Sequence, residues 1–96
     1  MKFSVLVVDD EYYICKNICT KIQMMRMDEI EGIQTCCSGE EALEICKTYK
    51  PEIVITDIKM GGMDGIEMIR QMKKILFPVC FIVLSGYDDY KYVRDA

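Results

Sequence analysis

Acidic and hydroxyl residues follow three apolar segments of this 96-residue chain. Asp9 and Asp10 follow FSVLVV, Asp57 follows EIVIT, and Ser85 follows PVCFIVL. Each segment is short and rich in β-branched residues, as is typical of a strand buried in a parallel sheet. Because open α/β sheets bind ligands at the carboxyl ends of their strands, we expect these side chains to converge. Such a group of carboxylates and a hydroxyl suits a divalent metal ion and a phosphoryl group.

Strands and helices that could position these residues alternate along the chain. Strands are predicted at residues 3–8, 32–37, 53–56 and 79–84. Helices are predicted at residues 11–27, between Ser38 and Pro51, from Asp64 to about Ile75, and from near Tyr87 to Ala96. Two of the helix starts carry capping-box patterns, which are Ser38 with Glu41 and Asp64 with Glu67. Four such strand–helix units predict an α/β fold with a parallel sheet and right-handed crossovers.

Length and composition limit the class of protein. Ninety-six residues allow one domain, and 51% hydrophobic with 29% charged residues is a globular composition. A net charge of −4 argues against nucleic-acid binding by this chain, because no basic patch is available to displace counterions. The apolar runs are far shorter than the ~20 residues that span a bilayer, and the first residues show no signal-peptide pattern. We therefore expect a cytoplasmic protein.

The six cysteines could indicate disulfides, a zinc site or simple packing. They are Cys15, Cys19, Cys36, Cys37, Cys46 and Cys80. A disulfide scaffold is disfavoured because the cysteines lie within helix and strand patterns and no export signal is present. Zinc binding is disfavoured because the chain has no histidine and no paired C-x-x-C spacing. We interpret the cysteines as small buried apolar residues in a reducing compartment.

Four ordered motifs resemble the receiver domain of two-component response regulators. They are VLVVDDE at residues 5–11, IVITDIKM at 53–60, MDG at 63–65 and LSGY at 84–87. The resemblance covers the whole chain, so residues 1–96 are interpreted as one receiver domain. It implies a flavodoxin-like, doubly wound sheet, here with the order 2-1-3-4. The segment SGYDDY at 85–90 is similar to receivers that precede AraC-type DNA-binding domains.

The resemblance also implies roles for individual residues. Asp57 would accept a phosphoryl group from a phosphohistidine of a sensor histidine kinase. Asp10 and Asp57 would bind Mg²⁺ directly, Asp9 would act mainly through water, and Lys59 would contribute its backbone carbonyl. Ser85 would hydrogen-bond the phosphoryl group and begin a two-state switch. On this interpretation the chain is not an enzyme, and it relays the signal to a DNA-binding domain outside these residues.

The sequence departs from the family pattern at its C-terminal end. Receivers continue through a fifth strand that ends in a lysine and through a fifth helix, and Lys91 comes too early to be that lysine. We therefore expect a C-terminally incomplete receiver that lacks the fifth strand and helix. Its fourth strand would then be a bare, apolar edge, which predicts self-association. The family also usually has proline at the position of Gly61, so this loop should be less rigid.

Other interpretations of the same residues remain open. Asp9 and Asp10 could simply form a solvated strand end near a helix start, where negative charge is favourable. A flavin-binding protein of similar fold is disfavoured because three acidic residues after the first strand would repel phosphate. A haloacid-dehalogenase-type phosphatase needs Asp-x-Asp, and Asp57 is followed by Ile58 and Lys59. A receiver-like interaction module that is never phosphorylated is the main alternative.

Overall fold

The computed structural model describes residues 3–25, 28–59, 62–76 and 78–84, together with the backbone of residues 90–94. The strands are β1 (Phe3–Val8), β2 (Ile30–Cys36), β3 (Ile53–Asp57), β4 (Cys80–Leu84) and β5 (Tyr90–Arg94). The helices are α1 (Tyr12–Met24), α2 (Gly39–Ile45) and α3 (Gly65–Met72). Within these ranges no helix is both long and apolar enough to cross a membrane.

The strand order is β2-β1-β3-β4-β5, and the pairs among the first four strands are parallel. The predicted α/β fold and the order 2-1-3-4 are therefore confirmed. Outside the C-terminal end the predicted elements are all present, and the largest difference is in α2, which ends at Ile45 and does not continue to Pro51. This order makes β1 and β3 neighbours, so their carboxyl ends lie side by side.

The C-terminal segment was predicted wrongly. Residues 90–94 form a strand, not a helix, and β5 pairs with β4 in antiparallel register. Only residues 85–89 separate the two strands, and five residues are too few for a parallel crossover. The sequence YKYV is also rich in residues that favour strands. The position beyond β4 is therefore occupied, and Lys91 lies on a strand, opposite Val83. Self-association was expected because the edge of β4 would be bare. Since β5 covers that edge, this reason no longer holds, and self-association stays a prediction.

Strand β1 is buried on both faces and divides the core into two layers. Leu6 and Val8 pack in a large cluster with residues of α2 and α3, whereas Val5 and Val7 pack in a small cluster with Cys15 of α1. All four of these β1 residues are almost completely buried. A strand with two buried faces is held firmly, so the residues that follow it have a fixed position.

The two predicted helix caps are both present. The hydroxyl of Ser38 accepts a hydrogen bond from the backbone amide of Glu41 at 3.1 Å. The Glu41 carboxylate in turn accepts the backbone amide of Cys37 at 3.0 Å. At the start of α3, the Asp64 carboxylate accepts the amide of Glu67 at 2.8 Å. These caps satisfy amides that have no partner within the helix, and so they fix where α2 and α3 begin.

A tyrosine hydroxyl stabilises an irregularity between β1 and β2. Phe3 pairs with Ile30 but Ser4 pairs with Gly32, so one residue of β2 is left over. The hydroxyl of Tyr49, which follows α2, lies 3.0 Å from the carbonyl of Val5 and 3.2 Å from that of Gly32. It therefore donates across the two strands next to the bulge, a contact that the sequence pattern did not indicate.

Replacing Tyr49 by phenylalanine removes only this hydroxyl. We expect Tyr49→Phe to lower the free energy of unfolding by about 1 kcal/mol, the usual net contribution of one such hydrogen bond. Urea denaturation followed by circular dichroism measures the change. Tyr13→Phe is the control, because Tyr13 is 78% exposed. Equal effects of the two substitutions would contradict the assigned role.

The start of α3 packs directly against the end of β3. A Cβ atom at Gly65 would lie 2.3 Å from the carbonyl oxygen of Asp57, and the Gly65 amide donates to the carbonyl of Ile58 at 2.7 Å. No side chain fits at this distance unless the backbone moves. Gly65 therefore allows α3 to begin beside Asp57.

We expect Gly65→Ala to destabilise the fold by about 1–3 kcal/mol, as overpacking of a close contact does. Gly32→Ala is the matched control, because a Cβ atom there would meet only the Tyr49 hydroxyl, at 3.9 Å. Thermal unfolding of the two variants gives the comparison. A Gly65→Ala protein as stable as the control would show that the close approach does not limit the fold.

Candidate functional site

Three carboxylates meet at the carboxyl edge of the sheet. Asp9 and Asp10 directly follow β1, and Asp57 is the last residue of the neighbouring strand β3. One carboxylate oxygen from each of the three lies within 4.8 Å of the others, and we call this group the acidic cluster. The structure thus brings together the three carboxylates that the sequence pattern was expected to bring together.

Asp9 is the buried member of the acidic cluster, with 2% of its surface exposed. Its Oδ1 accepts the backbone amide of Glu11 at 2.9 Å, at the start of α1. Burial raises the pKa of the Asp9 carboxyl above its usual value, and the negative charges of Asp57, Asp10 and Glu11 raise it further. The hydrogen bond from Glu11 opposes this rise in pKa without cancelling it. The ionised Asp9 is therefore in an environment that favours a nearby positive charge.

Asp57 and Lys59 lie where β3 ends and the loop to α3 begins. The Asp57 side chain is partly buried, and its Oδ1 lies 3.4 Å from the backbone amide of Lys59, which donates to it. Lys59 is exposed, as its sequence context suggested. Ser85, the fifth predicted site residue, lies outside the described residues. The carbonyl role of Lys59 and the hydroxyl role of Ser85 both stay predictions.

A contact from α2 that the sequence pattern does not indicate reaches the same loop. The Glu40 carboxylate accepts the backbone amide of Met63 at 3.2 Å. Glu40 stands beside the capping residue Glu41 and looked like an ordinary acidic residue of a first helical turn. Its partner is 23 residues away in the chain, so no local pattern could have indicated the contact.

The cysteines near the acidic cluster behave as packing groups. The Cys15 thiol lies 3.5 Å from the carbonyl oxygens of Asp9 and Cys36, and it is buried beneath the ends of β1 and β2. Burial raises the pKa of Cys15 to about 11 and that of Cys36 to about 12, so both remain neutral thiols at ordinary pH. All six cysteines are free. The prediction of buried cysteines holds for Cys15, Cys36 and Cys46, whereas Cys37 and Cys80 are exposed.

Comparison with known proteins identifies the family. The family described as "Response regulator receiver domain" matches residues 5–96. Sporulation initiation phosphotransferase F of Bacillus subtilis is 32% identical over 98 residues, which cover 100% of this chain and 74% of that protein. The uncharacterized transcriptional regulatory protein YesN of the same organism is 36% identical over 94 residues, covering 98% of this chain but 25% of YesN. The chain thus spans only a quarter of the length of that relative.

Solved structures agree with the sequence relatives. A two-component transcriptional regulator AraC from Clostridium phytofermentans superposes with a TM-score of 0.81 at 28% identity, covering 92% of this chain and 70% of that one. The receiver domain of the histidine kinase CKI1 from Arabidopsis thaliana gives a TM-score of 0.76 at 25% identity, covering 91% of this chain and 68% of that one. Fold, acidic cluster and sequence therefore agree, and the chain belongs to the receiver-domain family of two-component response regulators.

Proposed function

We propose that residues 1–96 act as a phosphoacceptor receiver domain that takes a phosphoryl group onto Asp57 from a phosphohistidine of a sensor histidine kinase. The observation that carries the proposal is the acidic cluster, in which Asp57 ends a central strand with two further carboxylates beside it. The phosphorylated domain would then act on a DNA-binding output domain that lies outside residues 1–96. On this proposal the chain is the substrate of the kinase.

Phosphoryl transfer to Asp57 would need little from the protein besides position and charge. A carboxylate oxygen of Asp57 attacks the phosphorus, the bond from phosphorus to the histidine nitrogen breaks, and its electron pair leaves with the imidazole. A carboxylate nucleophile has no proton to lose, so no general base is required. Phosphoryl transfer is catalysed mainly by positioning and by stabilisation of charge, and both would be provided at the edge of the sheet. Ser85 would donate its hydroxyl to a phosphoryl oxygen.

The acidic cluster fits a magnesium ion by the chemistry of its donors. Mg²⁺ prefers hard oxygen ligands and is usually held by one or two carboxylates together with water and phosphate oxygens. Asp10 and Asp57 would bind it directly, Asp9 through water, and Lys59 through its carbonyl. When bound, the ion supplies positive charge that offsets the phosphoryl group and the three carboxylates. The raised pKa of Asp9 supports this fit, because a cation would relieve the repulsion that contributes to it.

Intact-mass measurement after incubation with acetyl phosphate and Mg²⁺ tests the proposed acceptor. We expect the wild-type chain to gain one phosphoryl group and Asp57→Asn to gain none, because the nucleophilic oxygen is lost. Asp64→Asn is the matched control, since Asp64 lies in the same loop and asparagine caps a helix as well as aspartate does. It should be phosphorylated like the wild type, and a chelator should abolish the gain in both. An unmodified wild-type chain would favour the interaction module that is never phosphorylated.

The buried Asp9 makes the stability of the metal-free protein depend on pH. Because folding raises the pKa of Asp9, the native state binds more protons than the unfolded state between the unfolded value of 3.8 and the raised one. The free energy of unfolding therefore falls as pH rises through this window, and the full cost of the ionised group remains at neutral pH. Asp9→Asn should raise the free energy of unfolding at neutral pH, and the gain should shrink as pH falls toward 3.8.

Denaturant titrations at several pH values, with and without Mg²⁺, measure this effect. Mg²⁺ should stabilise the wild type more than Asp9→Asn, since the variant has lost part of the charge that attracts the ion. Glu29→Gln is the control, because it removes one exposed negative charge at the opposite end of the sheet, just before β2. An Asp9→Asn protein less stable than the wild type at neutral pH would show that the hydrogen bond to Glu11 outweighs the repulsion.

A further inference from the structure

The loop between β3 and α3 contains two neighbouring glycines, Gly61 and Gly62. Gly62 has a φ of 76°, a conformation that residues with side chains rarely adopt. Consecutive glycines give a chain more conformational freedom than any other pair of residues. A fixed position for this loop therefore has to come from contacts with the rest of the fold.

Glu40 provides such a contact from the first turn of α2. Its Oε2 accepts the Met63 amide at 3.2 Å, and a Cβ atom at Gly62 would lie 3.0 Å from the same oxygen. The carboxylate thus lies directly against the glycine that has the unusual backbone conformation. The Met63 side chain packs beside Gly39, where a Cβ atom would lie 3.2 Å from the Met63 sulfur. The first turn of α2 therefore holds this loop through one hydrogen bond and one close packing contact.

The same loop bears on Asp57. Its first residues include Lys59, whose amide donates to the Asp57 carboxylate, and Ile58, whose carbonyl accepts the Gly65 amide. The described residues of the loop are thus attached at three points, which are the acceptor carboxylate, the start of α3 and Glu40. Of these attachments, only that to Glu40 comes from a different strand–helix unit. Loss of the Glu40 contact would remove the hydrogen bond that holds Met63 from outside the β3–α3 unit.

We propose that Glu40 is a positioning residue for phosphoryl transfer, which holds the β3–α3 loop so that the Asp57 carboxylate and the Lys59 backbone keep a productive arrangement. This inference rests on the proposed function of Asp57. Among the described residues Glu40 accepts its hydrogen bond from the Met63 amide and not from Asp57, so it would act through that amide. Its contribution is geometric, so it depends on an acceptor oxygen and not on negative charge.

Two substitutions at Glu40 separate geometry from charge. Glu40→Gln keeps an oxygen that can accept the Met63 amide, whereas Glu40→Ala removes it, and both lose the same negative charge. Glu44→Ala is the control on the same helix, because Glu44 is exposed and its ion pair, at 3.1 Å, is with Lys47. Gly62→Ala disturbs the contact from the loop side, through both its positive φ and its closeness to Glu40.

The proposal is tested by three measurements on the whole chain. They are hydrogen exchange of the Met63 amide by NMR, Mg²⁺ affinity, and the rate of phosphorylation by acetyl phosphate at saturating Mg²⁺. We expect Glu40→Ala and Gly62→Ala to speed exchange of the amide and to slow phosphorylation about three- to tenfold, the range for one lost hydrogen bond. Mg²⁺ should bind more weakly by a similar factor. Glu40→Gln and Glu44→Ala should stay within about twofold of the wild type in all three.

The outcomes that would overturn the proposal are distinct. Faster exchange in Glu40→Ala with an unchanged phosphorylation rate would show a contact that does not position the acceptor. Equal losses in Glu40→Ala and Glu40→Gln would assign the effect to charge. A wild-type chain that takes up no phosphoryl group would overturn the proposed function and the positioning role with it, whereas the first two outcomes leave Asp57 as the acceptor.

Discussion

Crowding of negative charge at the end of β1 is the constraint on which the site depends. Asp9, Asp10 and Asp57 bring their oxygens within 4.8 Å of one another, and Asp9 is almost completely buried. Like charges at this separation repel, and burial adds a desolvation cost, so this arrangement opposes folding. Strands β1 and β3 maintain it because they pair side by side within the buried sheet, which fixes the backbone positions of Asp9 and Asp57. The packed core thus offsets the unfavourable free energy of the acidic cluster.

Three backbone amides hold the described part of the loop beside this site. The Lys59 amide contacts Asp57, the Gly65 amide contacts Ile58, and the Met63 amide contacts Glu40. Backbone contacts of this kind demand small residues where elements approach closely, which explains glycine at position 65. The loop amides also need hydrogen-bond acceptors from outside the loop, because two adjacent glycines in its sequence allow the backbone many conformations. Helix α2 supplies such an acceptor through Glu40, although it belongs to another strand–helix unit.

Much of the fold and of the acidic cluster could be predicted because their causes are local. Apolar β-branched runs define the strands, Ser38 and Asp64 define helix starts, and the carboxyl ends of parallel strands converge by geometry. The pairing of β4 with β5 was not predicted. The segment is short, polar and rich in tyrosine, a composition that fits a helix or a strand, and pairing with the open edge of β4 favours the strand. The contacts of Tyr49 and Glu40 were missed because each joins residues far apart in sequence.

The two layers of the sheet contribute unequally to the site. Among the described residues, the cluster formed with α2 and α3 contains thirteen buried members, whereas that formed with α1 contains three, surrounded by partly buried isoleucines. Helices α2 and α3 of the layer with the larger cluster both contact the β3–α3 loop at their first turns, α2 through Gly39 and Glu40 against Met63, and α3 through Gly65 against Asp57. The layer with the larger buried cluster is therefore also the one that contacts the loop. The helix starts that pack against the loop are thus continuous with the larger part of the core, which is how a small domain can hold a repulsive cluster of carboxylates in place.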